Sequence, residues 1–142
     1  MDSDLTWSER RGELIHLSFM LTGRLRALMD QRAAELDLSP MQARALWVMQ
    51  DPTPMGELAE KLHCDASNVT GIVDRLEDQG LMERVIDPDD RRRRNLVVTE
   101  EGRARSVSLR DRLHEGNPVL ALTDDEVEVM LTLLGRMLEA PD

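Results

Sequence analysis

The sequence predicts a mainly α protein with a small β-wing of two to three strands, and three observations lead there. Apolar residues recur every three or four positions over most of the chain. Two short β-like runs, "LMERVI" and "NLVVT", flank a polar loop. Aromatic residues make up 2% of the composition, with no Tyr, so the core has to be built from Leu, Val, Met and Ala, which suits helices packed on helices.

Taken in order, Leu14, Leu17, Leu21, Leu25 and Leu28 set the apolar stripe of one long amphipathic helix from about residue 8 to Leu36. Ser39, Pro40 and Gln42 read as a capping box with proline in the first turn, opening a second helix through Met49 that "DPTP" closes. "MGELAEKLH" is a short third helix with Leu58, Ala59 and Leu62 inward. Asp65 is the expected N-cap of a fourth helix and Gly80 its left-handed stop. The hairpin follows. Thr99 then caps a polar helix to about His114, which "EGNP" ends. A second capping box, Thr123 to Glu126, starts a last helix with Val127, Met130, Leu131, Leu134, Met137 and Leu138 as its inward face.

A short helix, a turn, a second helix and a hairpin make a winged helix-turn-helix, here flanked by dimerisation helices. The boundaries expected are 1–36 for an N-terminal dimerisation helix, 37–102 for the winged module and 103–142 for C-terminal dimerisation helices. The flanking helices need a surface on which to bury their apolar faces, and a partner subunit supplies one.

The 142 residues suit one domain, or a small domain with helical extensions. No window approaches the roughly 18 apolar residues of a membrane span. Residues 1 to 10 carry Asp2, Asp4 and Glu9 and no apolar run, unlike a secretory leader. The single Cys64 forms no internal disulfide and reads as a small buried hydrophobe. The expected location is cytoplasmic, with no membrane partner.

The formal net charge is -10, yet Arg91 to Arg94 stand in succession inside "DPDDRRRRNL". An acidic body disfavours indiscriminate coating of nucleic acid. A local cationic patch still acts, because screening at physiological salt confines charge effects to about 8 Å. At about 100° per residue, Val69, Ile72, Val73 and Leu76 share one face of the fourth helix. Ser67, Gly71, Asp74 and Asp78 centre on the other, flanked by Asn68 and Arg75 on one side and Thr70 on the other. A small, neutral, hydrogen-bonding tip suits entry into a major groove about 12 Å wide. Asn68 can read adenine, Ser67 and Thr70 can bond base edges or phosphate, and Gly71 leaves room for the backbone. Arg75 suits phosphate, and Asp74 suits bracing a nearby Arg. The arginines at the hairpin suit phosphates and a narrow minor groove, with Asp89 and Asp90 placed to steady them. A solvated edge-strand charge run that prevents aggregation is the plainer alternative.

Over Met55 to Gly102 the chain resembles the MarR family of bacterial transcription regulators. The motifs are "VDRLE" followed by "GLMER", then "DPDDRR" and "VTEEG". The resemblance implies a homodimer built from the first, fifth and sixth helices. It also implies that the helix from Ala66 lies in a major groove and the wing in the adjacent minor groove. Arg92 would then enter the minor groove, with Asp90 as its brace. Many members carry a bulky or basic residue where this chain has Gly71. Family members bind small aromatic or phenolic anions between the dimer helices and the DNA-binding lobe. The matching positions are His16, Phe19 and Met20 with Met41, Ala45 and Trp47. The redox branch of the family has a Cys early in the first helix, and this chain has none there.

Catalysis and metal binding find no support. His16, His63 and His114 are scattered, and no metal-ligand spacing, phosphate-binding glycine loop or nucleophile elbow occurs. No cofactor is expected. The function expected is therefore a dimeric, sequence-specific regulator of transcription, most often a repressor in this family. It would read a pseudo-palindrome in double-stranded DNA and could be released by an aromatic or phenolic effector. A winged-helix protein-interaction module without specific DNA binding is the alternative.

Overall fold

The computed structural model describes residues 9–141; the start of the predicted first helix and Trp7 lie outside them. Six α-helices and a small antiparallel sheet account for most of these residues. They are α1 (Glu9–Ala34), α2 (Pro40–Val48), β1 (Thr53–Pro54), α3 (Met55–Leu62), α4 (Ala66–Asp78), β2 (Met82–Ile86), β3 (Arg94–Val98), α5 (Glu100–His114) and α6 (Asp124–Leu138). The mainly helical winged architecture is thus present, with every predicted helix found.

The caps hold where the sequence places them. Ser39 Oγ accepts from the Gln42 N–H while Gln42 Oε1 accepts from the Ser39 N–H. Thr123 and Glu126 make the same reciprocal pair at α6. Gly80 stops α4 at φ 71°, a conformation that costs a side-chain-bearing residue more than glycine. At Asp65 the expectation fails in detail, since the residue holds the N-cap position but its carboxylate makes no capping bond.

Two elements were not legible. "DPTP", read as a break, supplies β1. Thr53 pairs with Leu96 and Pro54 with Asn95, so the sheet has three strands in the order β1-β3-β2. Pro54 is tolerated because it ends an edge strand, where its missing N–H breaks no ladder. A short 3-10 turn, Pro118–Ala121, precedes α6, capped by Asn117.

The chain divides into two compact units, Met29–Leu113 and Met1–Leu28 with His114–Asp142. The first owns the core. Leu46, Leu58, Leu62, Val73, Leu76 and Leu96 are almost wholly buried there. "VTEEG" has a physical reason within it. Thr99 Oγ1 donates to the Gly80 carbonyl and accepts from the Gly102 N–H, and a methyl group on Gly102 would overlap the Leu81 carbonyl oxygen. Helix α5 can start against the β2 end only because that position has no side chain.

The second unit has no buried residue among those described. Of the inward face expected for α6, Val127 and Met130 are half-buried, while Leu131, Leu134, Met137 and Leu138 are exposed. Leu14, Leu17, Phe19 and Met20 of α1 are exposed as well.

Candidate nucleic-acid interface

Helix α4 turns its four large apolar residues inward; Val69, Ile72, Val73 and Leu76 are all buried. That fixes the opposite side in water: Ser67, Asn68, Thr70, Gly71 and Arg75 are exposed. The Thr70 hydroxyl donates to the Ala66 carbonyl at 3.0 Å, leaving its oxygen to accept. Nothing lies within 4 Å of the place a Gly71 Cβ would take, so the helix surface there is bare backbone. Ser39, Met41 and Arg44 of the α2 start face Ser67, Asn68 and Arg75 across an open groove. Cys64 lies in the same groove and is half-buried, more exposed than expected of a core residue.

The wing is organised by Asp87 rather than by Asp89. One Asp87 carboxylate oxygen accepts from the main-chain N–H groups of Asp89 (2.8 Å) and Asp90 (3.3 Å), and the other accepts from the Asn95 amide (3.2 Å). The loop closes through Asp87 N–H to the Arg93 carbonyl and Arg93 N–H to the Asp90 carbonyl. Asp90 accepts from the Arg92 main-chain N–H at 3.0 Å, and its other oxygen stands 3.6 Å from Arg93 Nε. The four arginines are all exposed, and among the described residues Arg91, Arg92 and Arg94 have no acidic partner. A tied backbone carrying free guanidinium groups can meet an anion with little further ordering.

These bonds, the Asp89 N–H first and then the Asn95 amide, hold the Asp87 carboxyl below its ordinary range. Because the folded pKa is depressed, the stabilisation is complete above the free aspartate value near 4 and is lost as pH falls through the lower, folded value. Amide resonances of Asp89 and Asp90, followed on acidification, are expected to move with a midpoint below that of a free aspartyl peptide while those of α4 stay put. A midpoint equal to the peptide's would show that the carboxyl is not held in this way.

Two further cations were not identified from the sequence. Arg84 of β2 donates through Nη2 to Asp74 Oδ1 at 2.7 Å and through Nη1 to Glu77, which also accepts the Arg84 main-chain N–H at 3.1 Å. Asp74 does brace an arginine, as its position suggested, but that arginine comes from the hairpin. Arg44 donates to Met41 sulfur at 3.5 Å and has no acidic partner among the described residues, and it lines the groove. Strand alternation could have flagged Arg84, which falls on the same side of β2 as buried Met82.

The α2 positions implied for an effector do not share a surface. Ala45 is fully buried, Met41 lines the groove, and Trp47 is 40% exposed under the Arg110 guanidinium, 5.3 Å from the ring centre. His16, Phe19 and Met20 are exposed on α1. A separate cavity of about 210 Å³ lies among Leu46, Met49, Val97, Arg103 and Arg110. No helix among the described residues is long and apolar enough to cross a membrane.

Residues 42–93 match the MarR family. Among curated proteins, the HTH-type transcriptional regulator YcgE of Bacillus subtilis is 32% identical over 83% of this chain and 80% of its own. The HTH-type transcriptional repressor NicR of Pseudomonas putida is 30% identical over 68% of this chain and 61% of its own. Solved structures agree. MarR of E. coli superimposes with a TM-score of 0.71 at 26% identity, covering 89% of this chain and 95% of its own. A MarR-family regulator of Silicibacter pomeroyi reaches 0.77 at 25%, covering 95% and 94%. A mutant of S. aureus MepR bound to an oligodeoxyribonucleotide gives 0.62 at 25%, covering 88% and 95%. The likeness to YcgE runs through most of both chains and the fold is shared with these structures, so the chain belongs to the MarR family of helix-turn-helix transcriptional regulators.

Proposed function

We propose that this protein is a homodimeric repressor that reads a pseudo-palindromic site in double-stranded DNA. The observation that carries this reading is the pairing of an uncharged, exposed α4 tip with a wing whose arginines 91, 92 and 94 lack acidic partners among the described residues. Ser67, Asn68, Thr70 and Gly71 form the base-reading tip. Arg75 and Arg44 take flanking phosphates, and Arg91 to Arg94, steadied by Asp90, take the neighbouring minor groove. The uncovered apolar faces of α1 and α6 support a second copy as the missing half of that unit. The cytoplasm is where such a regulator works.

Selection of bound fragments from random duplex DNA by the purified protein tests this. A recovered site with two-fold symmetry is expected, and recovery of no common sequence contradicts it. On the recovered duplex, Asn68→Ala is expected to weaken binding by about 1–3 kcal/mol and to relax preference at one base pair per half-site. Equal loss on all sequences would reassign Asn68 to the phosphates.

Release by a small aromatic or phenolic anion completes the reading. The cavity edged by Arg103 and by Arg110, which also covers Trp47, combines apolar Leu46, Met49 and Val97 with polar Gln50, Asp51 and Ser106, and its two arginines supply the positive charge such an anion needs. His16, Phe19, Met20 and Met41 keep accessible surface for the same role. Ligand binding would act by favouring a separation of the two α4 helices that cannot span successive grooves, a coupling typically of about 1–3 kcal/mol.

A further inference from the structure

We propose that Arg84 is a positioning residue that fixes the wing to the recognition helix, so that helix tip and arginine finger reach adjacent grooves together. The inference rests on the DNA-binding reading above and adds a part to it. Strand β2 is an edge strand, and its Arg84 main-chain N–H points away from β3. Glu77, on α4, accepts that N–H and also takes Arg84 Nη1; Asp74, one turn earlier, takes Nη2. One side chain and one main-chain donor of the hairpin are thus tied to two carboxylates of the helix. The Arg84 side chain is 27% exposed and the Glu77 side chain 28%, so that arm of the tie is partly sheltered from water, while Asp74 is 56% exposed.

Arg84 pairs with Leu96 across the hairpin, and two positions further out Ile86 pairs with Arg94, the base of the cationic finger. A restraint at Arg84 therefore sets the direction in which that finger leaves the helix. Two binding elements held at a fixed separation engage as one, whereas loosely joined elements lose part of that gain. The arrangement also explains why a DNA-reading helix carries acidic residues at positions 74 and 77: they serve the hairpin.

Charge and geometry make opposite demands here, which gives the test a sign. Removing two carboxylates beside DNA should strengthen binding if only charge matters. The test uses the whole protein and the duplex recovered by selection, at fixed salt. The pair Asp74→Ala with Glu77→Ala, both favourable in a helix, is compared with Asp74→Asn with Glu77→Gln. Both pairs change the charge equally, but the amides still offer oxygen acceptors to Arg84. The alanine pair is expected to bind about tenfold more weakly than the parent and more weakly than the amide pair. Hydroxyl-radical protection in the minor groove should fade while methylation protection in the major groove persists. Binding by the alanine pair equal to or tighter than the parent, or equal to the amide pair, overturns the proposal. A parent protein without salt-dependent duplex binding overturns the underlying reading instead.

Discussion

Leu131→Glu is expected to give a folded monomer that has lost specific DNA binding. Leu131 is 60% exposed on α6, in a unit where no described residue is buried. In a two-fold dimer the same patch faces its own copy, so the substitution buries two carboxylates at one interface. An ion forced into an apolar contact costs several kcal/mol, and about 4 kcal/mol already weakens association about a thousandfold. The Met29–Leu113 unit keeps its own core, so helix content should survive. Sedimentation equilibrium reads the association state and circular dichroism reads the fold. Persistence of a full-strength dimer would show that this face of α6 does not make the interface.

Arg92→Ala has the second large expected effect. Its guanidinium has no acidic partner among the described residues, and Asp90 holds its main chain in place. Each phosphate neutralised contributes about 0.9 to the slope of log affinity against log salt, so loss of one contact in each wing should flatten the slope by about 2. Affinity should fall about ten- to a hundredfold at moderate salt, for specific and random duplexes alike. An unchanged slope would place Arg92 outside the minor groove and leave the wing as a solvated charge run.

Most of the fold could be read from the residues because its signals are local. Ser39-Pro40-Gln42, Thr123-Glu126 and Gly80 each act within one turn of chain, and the α4 periodicity sorted its buried from its exposed positions. What escaped depends on partners distant in sequence. Thr53 becomes a strand only because Leu96, 43 residues on, offers a free ladder edge. The contribution of Asp87 arises from loop closure, which composition does not reveal, whereas Asp90 adjoins the arginines in sequence and does accept from the Arg92 main-chain N–H. Arg84 sits in a run that reads simply as strand, and its ties to Asp74 and Glu77 exist only once the hairpin folds back on α4. The apolar residues of α1 and α6 could be listed from their spacing, but among the described residues most of them stay exposed, and a sequence does not name what would cover them.

Two copies of the chain are expected to set two neutral helix tips and two cationic wings at the spacing of a duplex. Hydroxyl-radical footprinting of the purified protein on its selected duplex measures that directly. Protection related by a two-fold axis is expected, with half-site centres about 10 base pairs, or one helical turn, apart. A single protected patch bound by one subunit, or uniform protection without symmetry, would contradict it.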